Sequence, residues 1–436
     1  MKILMVSLYF YPDRTGVPKY SGEMAQWLAG RGHEVTVVAG APHYPDWRRV
    51  PGQSALAFTT EQWEGATVHR VPHYVPNDGK INTLRRMMID ASFLMASSSK
   101  WLRITLNKQA FDVAIAVCPP LFSGLLSYVN QVVRGVPWVF HVQDFQVDAA
   151  IRLNLLGGGR IGKLLYRLEG YLLGSASQVA SITPAMCDRA VEKGATDDHV
   201  YLLPNWGDVH GIRPGQRHNG FRKALSASAG DTVVMYAGAM GAKQGLELVL
   251  DVAQRLADRI DIRFVMVGGG PEWVRLCEQA GERGIQNMQF IPLQPVEKLN
   301  EMLAAADVHL VVQKSEAADI VMPSKLANIF AAGRPAIATA DDGTALHQAM
   351  IDSGGGLVIK PEDTAALRSA ILRLADDPKA RQSMGKAARA YAERELDQDL
   401  ILERFEQELQ RVADAGASAG VLPMARSLLG FLRRGG

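Results

Sequence analysis

Short continuous apolar runs recur along the chain, separated by longer stretches with helical spacing. In the first half the runs lie at 2–7, 34–39, 68–71, 113–117, 138–142, 179–182 and 200–203. Runs of this kind, apolar at successive positions, suit parallel strands covered on both faces. The segments around 81–107, 121–133, 160–174 and 184–193 read as helices between them, with a further helix at 20–30 ending in the turn GRGH. A polar, Gly-rich stretch at 207–230 reads as an interdomain linker. The same grammar then restarts, with strands expected at 233–237, 263–267, 289–291, 308–312, 336–339 and 356–359. Repeated strand–helix alternation implies an α/β architecture of two Rossmann-like, doubly wound domains facing a cleft. The expected limits are 1–206 and 207–385, then helices at 386–413 crossing back to the first domain, and a basic amphipathic or disordered tail at 414–436.

Composition narrows this little. The 436 residues exceed one ordinary core, in keeping with two domains. A net charge of +2 gives no global field for nucleic acid, and none is expected as a partner. Three scattered cysteines, Cys118, Cys187 and Cys277, form no CxxC and read as reduced thiols of a cytoplasmic protein. The N-terminal apolar stretch reads as a first strand and not a signal peptide. No apolar run of the roughly 20 residues needed for a membrane span occurs.

The stretch VVQKSEAADIVMPSKLANIFAAGRPAIAT, 311–339, carries the most chemistry. It reads as strand, loop, helix at 324–332 and a glycine stop at Gly333. Such a helix starts where open α/β sheets bind ligands. Free N–H groups at its first turn, with Ser324 and Lys325, suit a phosphate. A second glycine-rich turn, GAMGAKQG at 238–245, follows the first strand of the second half. Glycine there lets backbone approach a ligand.

Taken in order, the segments at the N-terminus (MKILMVSLYFYPDRTGVPKYSG), HVQDFQVDA, LLPNW, YAGAMGAKQGLE, VGGGPE and PSKLANIFAAGRPAIAT resemble retaining glycosyltransferases of the GT-B fold, family 4. The likeness is to bacterial exopolysaccharide enzymes of the colanic-acid fucosyltransferase type, and it spans nearly all of 1–410. It implies a sugar transferred from a nucleoside diphosphate, with no metal and no cofactor. The leaving diphosphate gains charge in the transition state, so fixed donors must hold it.

The resemblance assigns residues. Donor binding falls to Gly16 in the loop after the first strand, to Gly238, Gly241, Lys243 and Gln244, to Gly268 and Gly269 of the GGGPE turn, to Pro292 beside the base, and to Ser324, Leu326 and Asn328. Lys19 and Tyr20, after Gly16, are expected near the cleft. His141, near the end of the strand in WVFHVQD, corresponds to a histidine beside the donor sugar; Asp144 is a candidate base or acceptor-orienting group. The family has an arginine at the position of Ala239 and a lysine at that of Gln244, so Lys243 or Lys325 must supply the charge. The family's paired glutamates fall at Ile320 and Asn328, leaving Glu316 or Asp319 for any acidic contact with the sugar. Asp397-Gln398-Asp399 is the one DxD and reads as a solvated helix face.

A dehydrogenase needs GxGxxG after its first strand, which is absent here. An epimerase of the same fold and a catalytically silent subunit stay open. GDP-fucose is the donor the resemblance puts first, with UDP-sugars as the alternative. The implied acceptor is a saccharide on a polyprenyl diphosphate. Basic amphipathic stretches at 81–108 and 421–434 then suggest peripheral contact with the inner membrane face.

Overall fold

The computed structural model describes every residue except 14–15, 45, 51–56, 107–109, 149–159, 318–324 and 420–436; at 102–106, 160–161, 317 and 418–419 only the backbone is described. Asp319, Ser324 and residues 420–436 of the expected tail therefore lie outside the described residues, while 414–419 of that tail continue a helix instead. Two compact units emerge, one of Met1–Pro204 with the residues from Leu402, the other of Asn205–Ile401.

The first unit holds an eight-stranded sheet. Its strands are β1 (Lys2–Ser7), β2 (Glu34–Gly40), β3 (Thr59–Trp63), β4 (Ala66–Val71), β5 (Val113–Cys118), β6 (Trp138–Val142), β7 (Gln178–Ser181) and β8 (Val200–Leu202), in the order β3-β4-β2-β1-β5-β6-β7-β8. All pairings are parallel but one: β3 is an antiparallel edge strand on β4. That strand is absent from the sequence reading because its residues, TTEQW, are mostly exposed and carry no apolar run. β5 and β6 are buried throughout, as the continuous apolar runs require.

The second unit holds β9 (Thr232–Ala239), β10 (Ile262–Gly269), β11 (Met288–Pro292), β12 (Val308–Val311), β13 (Ala336–Thr339) and β14 (Gly356–Ile359), all parallel, in the order β11-β10-β9-β12-β13-β14. Each sheet reverses direction of growth beside its first strand, between β1 and β5 and between β9 and β12. Loops diverge there, and ligands of open sheets bind outside the carboxyl ends.

Three expectations change. The limit at 385/386 falls inside one helix, Pro378–Glu395, whose Gly385, Ala388 and Ala392 form a small-residue stripe buried in the second unit. The next helix, Gln398–Ala419, then buries Leu402, Phe405, Leu409 and Val412 in the first unit. Asp397 is not on a solvated face: it is buried, and its Oδ1 caps that helix by accepting from the backbone N–H of Asp399 (2.8 Å) and Leu400 (3.2 Å). The linker stretch contains a short helix, Gly220–Ala224, capped by Asn219 and tied to Asp307 through Arg222.

Candidate functional site

In the second unit the expected donor residues collect at the carboxyl ends of β9, β10 and β12. β9 runs on through Gly238 and Ala239 beside Gly268 and Gly269 of β10. Gly238, Gly268 and Gly270 all have φ near +140°. A Cβ on Gly268 would stand 2.0 Å from the Gly238 carbonyl oxygen, so glycine is what lets the two strand ends close together. Gly268 is thereby a packing residue; Gly269 has nothing within 4 Å of its missing Cβ and faces open space.

Lys325 is the first described residue of the helix Lys325–Ala331, which stops one residue short of the expected end at 332. The Lys325 ammonium is the main charged feature described at this helix. Its Nζ sits 3.9 Å from the centroid of the Tyr236 ring and 3.4 Å from where a Gly238 Cβ would be. Tyr236 is wholly buried, with its hydroxyl donating to the Ala239 carbonyl at 2.5 Å. No carboxylate pairs with this lysine among the described residues, and burial pushes its pKa down to about 7. A half-buried cation stacked on an aromatic face beside a glycine turn is held ready for an anion.

The remaining donor candidates divide. Gln244 folds back, its Oε1 accepting from the Gly241 N–H at 3.0 Å, and so shapes the loop. Lys243 is exposed, and its carbonyl accepts from the Lys314 N–H at 2.9 Å, which joins the loops after β9 and β12. Lys314, unnoticed in the sequence, thus stands beside the glycine turn, its side chain 3.0 Å from the Gly245 Cβ position. Leu326 is a core residue with only its main chain available. Asn328 is half-buried on the same helix, and Glu316 is exposed in the turn Ser315–Ala317. The Pro292 carbonyl is taken by the Gln294 amide at 2.9 Å.

In the first unit Gly16 caps the helix Val17–Gly30 with φ +72° and open space around it. Tyr20 is buried, because the helix turns it inward, and Lys19 pairs with Glu23 at 3.8 Å. His141 lies next to last in β6 but is 1% exposed, with its Nε2 accepting from the Gln143 amide at 2.9 Å. Burial lowers its pKa to about 4, so the ring is neutral near pH 7. Asp144 is half-buried, one residue beyond Gln143.

The structure also assembles a group the sequence did not reveal. Tyr9 follows β1, His43 follows β2, His73 follows β4, and Asp90 lies on the helix Thr83–Leu106. The Tyr9 and His43 rings are 5.5 Å apart and the two histidines 4.9 Å. Tyr9 Oη, His43 Nε2, His73 Nε2 and Asp90 Oδ1 are buried without a hydrogen-bond partner among the described residues. Burial raises the Asp90 carboxyl to about pKa 7. Asp90 and Asp144 both act on Tyr9 electrostatically. Each residue follows a different element, so no local spacing could have linked them.

His210 Nε2 lies 3.4 Å from carboxylate oxygens of both Asp397 and Asp399. The cap role of Asp397 and the exposure of the other two account for this trio.

Residues 15–206 match the family model of the glycosyl transferase 4-like domain, and 219–391 match that of glycosyl transferases group 1. The chain is 37% identical to WcaI of Escherichia coli K12, a colanic acid biosynthesis glycosyl transferase, over 93% of this chain and 98% of that one. It is 29% identical to the D-inositol 3-phosphate glycosyltransferase of Nocardia farcinica, over 87% of this chain and 81% of the relative. Among solved structures, sucrose-phosphate synthase of Thermosynechococcus elongatus superposes with a TM-score of 0.73 at 16% identity, covering 95% of this chain and all of its own. HepE of Anabaena, solved with UDP, gives 0.70 at 14%, covering 94% of this chain and all of its own. Two parallel-sheet units of GT-B type, with both family models and a full-length relative in agreement, make this chain a member of the family 4-type glycosyltransferases.

Proposed function

We propose that the protein is a retaining, metal-independent glycosyltransferase that moves a sugar from a nucleoside-diphosphate donor to a lipid-linked saccharide during exopolysaccharide assembly. The observation that carries this is Lys325, a desolvated ammonium with no carboxylate partner among the described residues, set against the glycine-built ends of β9 and β10. As the donor's anomeric bond breaks, charge grows on the departing diphosphate, and a fixed cation stabilises that charge more than the ground state. With this charge in the protein, the reading requires no metal. Lys314 and Lys243 stand nearby as secondary cations.

On the acceptor side the orphaned polar atoms of Tyr9, His43, His73 and Asp90 support binding of a polyhydroxylated ligand. Each unpaired buried group costs about 1–3 kcal/mol, which a sugar hydroxyl or water relieves. His141 acts through Gln143 as a positioning residue, and Asp144 is the candidate for orienting the attacking hydroxyl. The family likeness to WcaI supports the exopolysaccharide setting; GDP-fucose is the first donor to try on the resemblance of the sequence motifs alone. HepE, solved with UDP, supports a UDP-sugar as second.

A donor panel tests the proposal. With one sugar nucleotide the enzyme should release nucleoside diphosphate slowly without acceptor, and at an unchanged rate in EDTA. The product linkage, read by NMR, should keep the donor's anomeric configuration. Epimer formation without acceptor, an inverted product, or EDTA-sensitive turnover each defeats part of it.

We place the enzyme at the cytoplasmic face of the inner membrane. No described helix is long and apolar enough to cross a membrane. However, the helix Thr83–Leu106 leaves Leu84 and Met95 67% and 69% exposed, with Met87 and Met88 also outward and Arg85 and Arg86 among them. Such a face suits an anionic interface. Leu84→Glu with Met95→Glu should abolish most flotation with phosphatidylglycerol vesicles at unchanged melting temperature. Undiminished flotation would remove this helix from the reading.

A further inference from the structure

The second unit has a cavity of about 550 Å³ at the amino ends of its strands, the opposite end of the sheet from Lys325. Asp307 and Pro335, which line it, directly precede β12 and β13. One wall is formed by the helix Pro378–Glu395, from which Arg381, Lys386 and Arg389 line the cavity. That helix reaches the strand ends because Gly385 packs on the Gly333 turn, where a Cβ would lie 2.4 Å from the Gly333 carbonyl oxygen.

Charge in this cavity is unbalanced. Five cations line it, Arg217, Arg334, Arg381, Lys386 and Arg389, against two acids, Asp307 and Glu393. Asp307 is already shared by Arg217 and Arg222. Glu393 is taken by Arg389 Nε at 2.7 Å. That leaves Arg334, Arg381 and Lys386 with no carboxylate among the described residues. Arg334 reaches only the carbonyls of Gly215 (3.0 Å) and Ala304 (2.6 Å), and its Nε is buried without a partner. Arg381 reaches the carbonyls of Leu374 and, at 2.9 Å, Ala375. Burial lowers the pKa of both arginines; the Asp307 carboxylate opposes this at a distance, and Arg217 and Arg222 add to it as like charges. Carbonyl bonds hold a guanidinium in place, and its only acidic influence here comes from carboxylates that make no direct pair with it.

We propose that this cavity is a second anion site, distinct from the donor site, which takes a phosphate group carried on a small molecule or a lipid headgroup. Guanidinium forks match phosphate oxygens, and three unpaired cations suit a dianion better than a lone carboxylate. The volume exceeds one phosphate and leaves room for the body it is attached to. Because Arg334 and the Gly333 turn end the helix that bears Lys325, an occupant here contacts the element that carries the donor-binding ammonium.

Inorganic pyrophosphate is the probe, with full-length Lys325→Ala protein used so that the donor site contributes little. Calorimetry at physiological salt should show saturable binding, weakened about tenfold or more in Arg381→Gln/Lys386→Gln. Lys386→Glu, a charge reversal at an exposed position, should weaken it as well and guards against misfolding of the double variant; melting temperatures are read for all. Equal binding by the variants, or no saturable binding, overturns the proposal. Phosphatidic acid vesicles, whose phosphomonoester can carry two charges, identify a headgroup as the source if they displace pyrophosphate. Failure to displace identifies a free phosphorylated compound; either result upholds the site.

Discussion

Lys325→Ala is expected to lower kcat/KM for the donor by about 10²–10³-fold, the usual loss when one fixed stabiliser of transition-state charge is removed. Lys243→Ala should cost about fivefold at most, because that side chain is exposed and its charge is screened. Comparable losses would show that the loop after β9 carries the diphosphate instead. Folding should not be the cause: Lys325→Met removes a desolvated cation that pairs with no carboxylate among the described residues, so the melting temperature should hold or rise.

The same lysine sets a pH dependence. In the free protein its pKa is about 7, and a bound diphosphate raises it. Donor affinity is therefore full below about pH 7 and weakens as pH rises above it, by up to about tenfold per unit until the bound-state pKa is reached. Binding above pH 7 should take up a proton, visible as a dependence of the calorimetric enthalpy on buffer. Lys325→Arg, which does not titrate, should flatten the profile. On stability the sign is opposite. Between the folded value near 7 and the ordinary 10.5, the unfolded chain holds the proton, so this group's contribution improves as pH rises through that window.

Gly268→Ala is expected to destabilise the second unit by about 3–5 kcal/mol, joining backbone strain at φ +143° with a Cβ 2.0 Å from the Gly238 oxygen. Thermal unfolding should move down by roughly 10 °C. Gly269→Ala, next in the chain, should stay within about 1 kcal/mol, since its Cβ enters open space. If the neighbours behave alike, the closure of β9 on β10 does not depend on glycine at 268.

Much of the fold was legible because parallel strands buried on both faces leave unbroken apolar runs; VHLV of β12 is buried at every position. β3 was not, because a short exposed edge strand has no such run. The site was legible in part. Lys325 stood out through its neighbours, but its seat on Tyr236 joins residues from separate strand and helix units, and sequence carries no trace of that distance. Tyr9, His43, His73 and Asp90 were missed for the same reason. Asp397 was misread because a capping carboxylate and a solvated one look identical in a polar stretch until the helix start is known.

The helix Gln398–Ala419 completes the first unit from residues that follow the whole of the second unit in the chain. Phe405 packs on Tyr201, Glu406 accepts from Arg31 at 3.2 Å and pairs with His33 at 2.6 Å, and Arg411 reaches Gln178 at 2.6 Å. Roughly 200 residues separate Pro204 from Leu402. A ribosome adding about 5–20 residues per second leaves the first sheet waiting roughly 10–40 s for its closing helix. Through that interval the nascent chain presents an open apolar seat while the second unit is being made, which is a natural docking place for a chaperone. Translation that stops anywhere before this helix yields a protein in which neither the order of synthesis nor the second unit's own stability can complete the first.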